Sequence, residues 1–176
     1  MQALSRRLHP LPSLHRYSVH APAYALGCAR LPTSTSTHIL TRHASTTMSS
    51  TGWEPVKTSA ECAPAAGPYS AAVKANGMIF CSGQIPADQD GNLCQGDIQA
   101  CTKQVIANLD NVLKSAGSSL EKVVKVNIFL ASMDDFAKMN EVYSAMLPDP
   151  KPARSCVAVK TLPKNVSVEI ECIALQ

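Results

Sequence analysis

Two short segments near the carboxyl end of this 176-residue chain carry the side chains best suited to chemistry. In ARSCVAV, the alternation of an extended strand places Arg154 and Cys156 on one face, and in VSVEIEC it places Glu169 and Glu171 on one face. A guanidinium can bind a carboxylate through two parallel hydrogen bonds, a thiolate can act as a nucleophile, and a carboxylate can act as a general base. The pattern alone also allows a surface arginine, a packed cysteine and solvated carboxylates, and it does not choose between the two glutamates.

The distribution of histidine and cysteine limits the chemistry further. All five histidines lie at the amino end of the chain, at His9, His15, His20, His38 and His43. Residues 44–176 therefore cannot provide Ser-His-Asp or Cys-His catalysis or a histidine-ligated metal site. The seven cysteines contain no C-x-x-C pair, and we expect them to be reduced thiols with no metal and no cofactor.

The amino-terminal part of the chain differs in composition from the rest. Up to residue 53 it contains five arginines, many Ser and Thr residues, and no Asp or Glu. This composition is typical of a mitochondrial transit peptide, which we predict over residues 1–47, with delivery to the mitochondrial matrix and removal there. A disordered extension with no targeting role is the alternative. Met48 could start a shorter cytosolic form, and we expect residues 48–56 to be a flexible segment before a domain over 57–176.

The remaining chain is slightly acidic. Since five of the sixteen basic residues lie in the amino-terminal part, the other eleven are set against all thirteen acidic residues. Tight binding to nucleic acid requires clustered Lys and Arg, so we expect no nucleic-acid partner. No apolar run approaches the ~20 residues that a membrane helix requires, so we expect no membrane partner either.

Hydrophobic periodicity from Trp53 onward predicts both strands and helices. The segments WEPVKTS, SAAVK and MIFCSG are typical of short strands. Asp97 is a candidate N-cap for a helix that Gly117 ends, and Ser132 begins a capping-box pattern before a second helix that Pro148 ends.

Between these helices, KVVKVNIFL predicts a strand with Val124, Val126, Ile128 and Leu130 on one face. Together the elements predict an α+β two-layer sandwich, in which two helices cover one face of a mixed sheet. The other face would be uncovered, and burial against copies of the same chain is the expected way to cover it.

Five motifs, in this order, resemble the reactive-intermediate deaminase family, also called Rid or YjgF: GPYSAAV, CSGQIP, FAKMNEVY, PARSC and VSVEIECIAL. The similarity runs from about Lys57 to the end of the chain, and the arginine of PARSC is typical of the RidA subfamily. The resemblance implies a chorismate-mutase-like fold, a homotrimer and active sites in the clefts between subunits. It also implies hydrolysis of 2-iminobutanoate and 2-iminopropanoate to 2-keto acids and ammonia.

The resemblance assigns roles to individual residues. Arg154 matches the arginine that binds the substrate carboxylate, and Glu169 matches the glutamate that positions or activates the attacking water. Ser82 and Gly83 match a loop whose backbone groups can hydrogen-bond the bound acid. The other positions matched to the substrate cleft are Tyr69, Asn140 and Cys156.

Two other functions stay open. A trimer without catalytic activity could bind small carboxylates in the same clefts, although the presence of both Arg154 and Glu169 favours the enzyme. An endoribonuclease or translation inhibitor is the second alternative, which an acidic domain without histidine does not favour.

Overall fold

Two helices and six strands account for most of residues 52–176, which are the residues that the computed structural model describes. The strands are β1 Trp53–Pro55, β2 Ala72–Ala75, β3 Met78–Gln84, β4 Val123–Leu130, β5 Ala153–Ala158 and β6 Val168–Leu175. The α-helices are α1 Ile98–Ser115 and α2 Phe136–Met146, and three 3-10 turns span Leu120–Lys122, Met133–Asp135 and Pro163–Asn165. The predicted α+β class is confirmed.

The six strands form one mixed sheet in the order β1-β2-β3-β6-β4-β5. All neighbouring pairs are antiparallel except β4 and β5, which are parallel. A parallel pair needs a crossover connection. Helix α2 provides it, because it lies between β4 and β5 along the chain.

Helix α1 begins where the sequence predicts. The Asp97 carboxylate accepts a hydrogen bond from the backbone N–H of Ala100 at 2.9 Å, and Gly117 follows the helix with a φ of 77°. Its buried Asn108 donates two hydrogen bonds from Nδ2, to the carbonyl oxygens of Ile85 at 3.0 Å and Ala87 at 2.7 Å. This side chain holds the loop that follows β3 against the helix.

Helix α2 is preceded by the predicted cap. The Ser132 hydroxyl accepts a hydrogen bond from the backbone N–H of Asp134 at 3.1 Å and starts the 3-10 turn that leads into the helix. At the other end, the Lys151 ammonium donates to the carbonyl oxygens of Ser144 and Leu147. This contact joins the end of α2 to the segment that enters β5.

The core lies between the helices and one face of the sheet. Every second side chain of β6 points into it, and Val168, Ile170, Cys172 and Ala174 are all at most 3% exposed. The opposite face has no covering layer among the described residues and carries large exposed apolar side chains: Trp53, Phe80, Val157 and Leu175.

The predicted face of Val124 is wrong. Val123 is buried whereas Val124 is 39% exposed, because the pairing of β4 with β6 shifts register between Val123 and Lys125. Such a bulge moves the side chains before it to the other face. Alternation from Val126 to Leu130 is as predicted.

The flexible segment expected over residues 48–56 ends in ordered structure, because Trp53–Pro55 pairs with β2. The transit peptide expected over residues 1–47 lies outside the described residues. Within residues 52–176, no helix has both the length and the apolarity required to cross a membrane.

Candidate active site in two halves

Arg154 is held at the start of β5 by helix α2. Its NH1 group donates a hydrogen bond of 2.7 Å to the side-chain oxygen of Asn140. Asn140, predicted to contact substrate, thus uses its amide oxygen to orient the guanidinium.

Two aromatic rings of α2 lie beneath the same guanidinium. The guanidinium carbon lies 4.6 Å from the centroid of Tyr143 and 5.8 Å from that of Phe136. Arginine over an aromatic face is attracted by the ring quadrupole, and the contact limits its motion. Asn140 and the two rings therefore fix both the position and the plane of the guanidinium.

The guanidinium lines a cleft of about 360 Å³, together with Ser144, Lys151 and Pro152. No carboxylate of residues 52–176 forms an ion pair with Arg154, since the two ion pairs found there involve Lys114 and Lys151. An oriented, partly buried arginine with no anionic partner is suited to bind a carboxylate ligand.

Cys156 lies two residues beyond Arg154 on the same face of β5 and packs against the core. Burial raises the pKa of its thiol, and the positive charge of Arg154 only partly offsets this effect. The thiol form is therefore favoured, which fits a packing residue better than a nucleophile.

Glu169 lies in a different cleft, of about 300 Å³. It is lined by residues of the loop before β2, of β3 and the residue that follows it, and of the turn before β6: Ala66, Tyr69, Ser82, Gly83, Ile85, Pro163 and Glu169 itself. The structure thus brings together four of the predicted residues, Tyr69, Ser82, Gly83 and Glu169.

The Glu169 carboxylate is only partly solvated and has no ion-pair or hydrogen-bond partner among residues 52–176. Burial raises its pKa, and the negative charge of Glu171 raises it further. Glu171 itself accepts a hydrogen bond of 2.8 Å from Asn127. The structure therefore separates two glutamates that periodicity could not, because only Glu169 lines the cleft.

Gly83 is required by the position of Glu169. A Cβ atom built on Gly83 would lie 2.8 Å from Cδ of Glu169, so any other residue here would force that carboxylate to move. Gly83 falls in an irregular stretch where the pairing of β3 with β6 shifts register between Cys81 and Gln84. The bulge and the missing side chain together make room for the carboxylate.

Tyr69 and Ser82 complete this half of the site. Tyr69 is 46% exposed, and its hydroxyl accepts a hydrogen bond of 3.0 Å from the backbone N–H of Ala66. The Ser82 hydroxyl donates to the carbonyl of Ser70 at 2.7 Å, and its backbone N–H donates to Ala71 at 2.9 Å. The Ser82 backbone N–H is therefore already used, and its hydroxyl oxygen remains able to accept.

The sheet separates the two halves of the site. Val126 of β4 pairs with Arg154 on one side, whereas Phe129 pairs with Glu169 on the other. Directly paired residues share a face of the sheet, and residues three apart on one strand lie on opposite faces. Arg154 therefore points to the helix layer and Glu169 to the uncovered face, so one chain does not bring them to one ligand.

Sequence reasoning missed the roles of Phe136 and Tyr143, which it treated only as core positions of a helix. Their spacing contains the signal, since Phe136, Asn140 and Tyr143 lie four and three residues apart and thus on one helix face. What the sequence does not show is that this face lies next to Arg154. Within residues 52–176 no group of three or more His, Cys, Asp or Glu side chains is placed to hold a metal ion.

Residues 60–176 match the sequence profile of the family described as Endoribonuclease L-PSP. The chain belongs to this family. Its members include proteins named as Rid and YjgF proteins, so the resemblance predicted from the five motifs is confirmed.

The L-PSP family relatives include organellar proteins. "Protein mmf1, mitochondrial" of Schizosaccharomyces pombe is 61% identical over 114 residues, which cover 63% of this chain and 70% of that protein. "Reactive Intermediate Deaminase A, chloroplastic" of Arabidopsis thaliana is 44% identical over 118 residues, which cover 66% of this chain and 63% of that protein. The crystal structure titled E. coli TdcF with bound serine is similar with a TM-score of 0.66 and 35% identity, over 70% of this chain and 98% of that one.

Proposed function

We propose that this protein is a 2-imino acid deaminase that hydrolyses 2-iminobutanoate and 2-iminopropanoate to 2-keto acids and ammonia. The observation that carries the proposal is Arg154, an oriented guanidinium with no anionic partner among residues 52–176, which lies 2.7 Å from Asn140 and 4.6 Å from the Tyr143 ring centroid. A plant relative bears the name Reactive Intermediate Deaminase A, and a bacterial relative was solved with serine, a small amino acid that carries a carboxylate.

The two clefts provide complementary groups for this reaction. Arg154 of one subunit binds the carboxylate of the imino acid, and Glu169 of a neighbouring subunit directs water onto C2. The raised pKa of Glu169 makes its carboxylate a stronger base than an ordinary glutamate. Water adds to the C=N bond to give a carbinolamine, and transfer of a proton to nitrogen lets ammonia leave as the C2 carbonyl forms. Both Arg154 and Glu169 then interact with substrate or water, whereas neither has an ion-pair partner among residues 52–176.

A homotrimer is the assembly we propose for this chemistry. The uncovered sheet face exposes Phe80, Val157 and Leu175, whose burial against other copies would be favourable. A closed ring of identical subunits also repeats the same pairing of unlike clefts at every interface. Light scattering on the active protein should give three times the subunit mass, and an active monomer would contradict the assembly.

The test of the function is ammonia release from imino acids generated in the assay by an amino acid oxidase. Residues 48–176 should accelerate ammonia release, and Arg154→Ala should reduce kcat/KM more than a hundredfold, because hydrogen bonds to charged groups contribute about 1.5–3 kcal/mol each. Arg154→Lys should remain impaired, since an ammonium lacks the fork of donors. An Arg154→Ala protein with the parental rate would overturn the proposal.

The parent protein and the Arg154 variants also test the two alternative functions, a carboxylate-binding regulator and an endoribonuclease. A regulator that only binds small carboxylates would bind 2-ketobutanoate through Arg154 and release no ammonia. The family description names an endoribonuclease, so cleavage of a defined RNA should be measured beside deamination. We expect no cleavage by the described domain, which contains no histidine and more acidic than basic residues.

We also propose that residues 1–47 direct the protein to the mitochondrial matrix, as the names of several relatives support. Translation from Met48 would give a cytosolic form. Import into isolated mitochondria should process the full chain and leave a chain that starts at Met48 outside. Equal uptake of the two forms would contradict the proposal.

A further inference from the structure

A third cleft, of about 250 Å³, shares no lining residue with the Arg154 and Glu169 clefts. It lies between the loop that enters α1 and the turn that enters β6. Its lining includes Cys94, Gly96 and Cys101 on one side and Lys164 and Ser167 on the other. Two thiols of the same chain therefore line a cleft that is open to solvent.

Both sulfur atoms contact the backbone of a single residue between them. The backbone N–H of Gly96 donates to Sγ of Cys94 at 3.4 Å, and Sγ of Cys101 donates to the carbonyl oxygen of Gly96 at 3.5 Å. A Cβ atom on Gly96 would lie 2.6 Å from Cβ of Ala100, so a glycine is needed for the loop to pack this closely on α1. The fold thus brings two thiols seven residues apart to the same peptide.

The two thiols differ in access. Cys101 is 4% exposed, whereas Cys94 is partly exposed. Burial raises the pKa of the Cys101 thiol, a hydrogen bond from Ser167 lowers it, and the adjacent Cys94 thiol raises it again. Cys94 is therefore the thiol that a small oxidant can reach, and Cys101 is the neighbour that can react with it afterwards.

We propose that Cys94 and Cys101 form a peroxide-responsive dithiol site. The Cys94 thiolate attacks hydrogen peroxide, the O–O bond breaks, and Cys94 becomes a sulfenic acid as water is released. The Cys101 sulfur then attacks Sγ of Cys94, the S–S bond forms, and a second water leaves. The pair loses two electrons and two protons, and the peroxide is reduced to two waters.

A second pair of thiols provides an internal control. Cys81 and Cys172 lie opposite each other on the paired strands β3 and β6 and are 6% and 3% exposed. Neither Cys81 nor Cys172 lines the cleft that contains Cys94 and Cys101. If proximity of two thiols were sufficient, peroxide would oxidise both pairs. If the oxidant must enter through the cleft, peroxide would oxidise only Cys94 and Cys101.

The experiment is peroxide treatment of the reduced, folded protein, followed by alkylation of free thiols and cleavage on the amino side of aspartate. Cleavage before Asp97 separates Cys94 from Cys101, so a disulfide between them joins two peptides with a loss of two hydrogen masses. We expect this joined product after a few equivalents of peroxide, its reversal by dithiothreitol, and full alkylation of Cys81 and Cys172.

Variants test the order of the two steps. Cys101→Ser should leave Cys94 as a sulfenic acid that a dimedone probe traps, and Cys94→Ser should leave Cys101 unreacted. Peptide mapping of the unsubstituted protein does not depend on how well either variant folds. The proposal is overturned if Cys94 and Cys101 both stay alkylatable after peroxide, or if Cys81 and Cys172 are oxidised as fast.

Discussion

Arg154 and Glu169 lie on opposite faces of one sheet, set by the pairing of Arg154 with Val126 and of Glu169 with Phe129 on the shared strand β4. Each side chain lines its own cleft, and the two clefts have no lining residue in common. A site that uses both residues must therefore take one from each of two chains, which leads to a direct test with mixed subunits.

Two impaired variants should restore activity when their subunits are exchanged. We expect Arg154→Ala and Glu169→Gln each to retain only a small residual activity when tested separately, because each removes one half of every site. In randomly mixed trimers, three quarters of the assemblies contain both variants and each of those has one intact site in three, so activity should reach about a quarter of the parental value.

The measurement is ammonia release after the two proteins are dissociated, mixed and reassembled. Each variant taken through the same procedure alone is the control and should stay impaired. A mixture with no more activity than its components, although mass spectrometry shows mixed trimers, would place both residues in a single-chain site.

We expect Tyr143 to contribute to catalysis through its aromatic ring and not through its hydroxyl. Tyr143→Leu removes the aromatic ring whose centroid lies 4.6 Å from the guanidinium carbon of Arg154. Because cation–π contacts contribute about 0.5–2 kcal/mol, kcat/KM should fall roughly two- to thirtyfold, mainly through a higher KM. Tyr143→Phe is the matched control. Its ring stays, and the hydroxyl it removes is buried with no hydrogen-bond partner among residues 52–176, so activity should persist and the melting temperature should not fall.

Steady-state kinetics and thermal unfolding of the two Tyr143 variants check this prediction. Equal losses of kcat/KM in Tyr143→Phe and Tyr143→Leu would assign the effect to the hydroxyl and reject the ring as the support for Arg154.

Gly83→Ala should impair catalysis by displacing Glu169. The added Cβ would lie 2.8 Å from Cδ of Glu169, so the carboxylate must move away from its place in the cleft. We expect kcat to fall at least tenfold while the trimer persists. In a Glu169→Gln background the same substitution should have little further effect, because Gly83 acts through the carboxylate. Independent losses in the double variant would show a separate role for Gly83.

The pH dependence of the reaction should reflect Glu169 and its neighbour. Burial and the charge of Glu171 raise the pKa of Glu169, so the active carboxylate is lost as pH falls through that raised value. Glu171→Gln removes one cause while it keeps an oxygen for Asn127, and the acid limb of the kcat/KM profile should move to lower pH. An unchanged limb would show that another group controls it.

The raised pKa of Glu169 also predicts an effect on the stability of the fold. Because its pKa is higher in the folded state than in the unfolded state, ionised Glu169 opposes folding above that pKa, and the opposition disappears at lower pH. Glu169→Gln should therefore leave the melting temperature at neutral pH unchanged or higher while activity is lost. A marked fall in melting temperature would indicate a structural role for the carboxylate.

Local sequence signals predicted the elements and the chemistry that each one carries. The Asp97 cap, the Gly117 stop and the Ser132 cap depend on one or two turns of backbone, so residue type alone determines them. Alternation also placed Glu169 and Glu171 on one face of their strand. It failed at Val124, because a bulge depends on how two distant strands pair and not on the sequence of either one.

Only the tertiary structure decided how the strand and helix faces that carry the site residues are placed relative to one another. Strand alternation says which residues share a side, but the register of β4 against both β5 and β6 decides that Arg154 and Glu169 point in opposite directions. Packing of α2 on the sheet likewise brings Tyr143 beneath Arg154, and the bulge at Gly83 distinguishes Glu169 from Glu171. These relations join residues far apart along the chain, and such residues acquire defined positions only when the whole core packs.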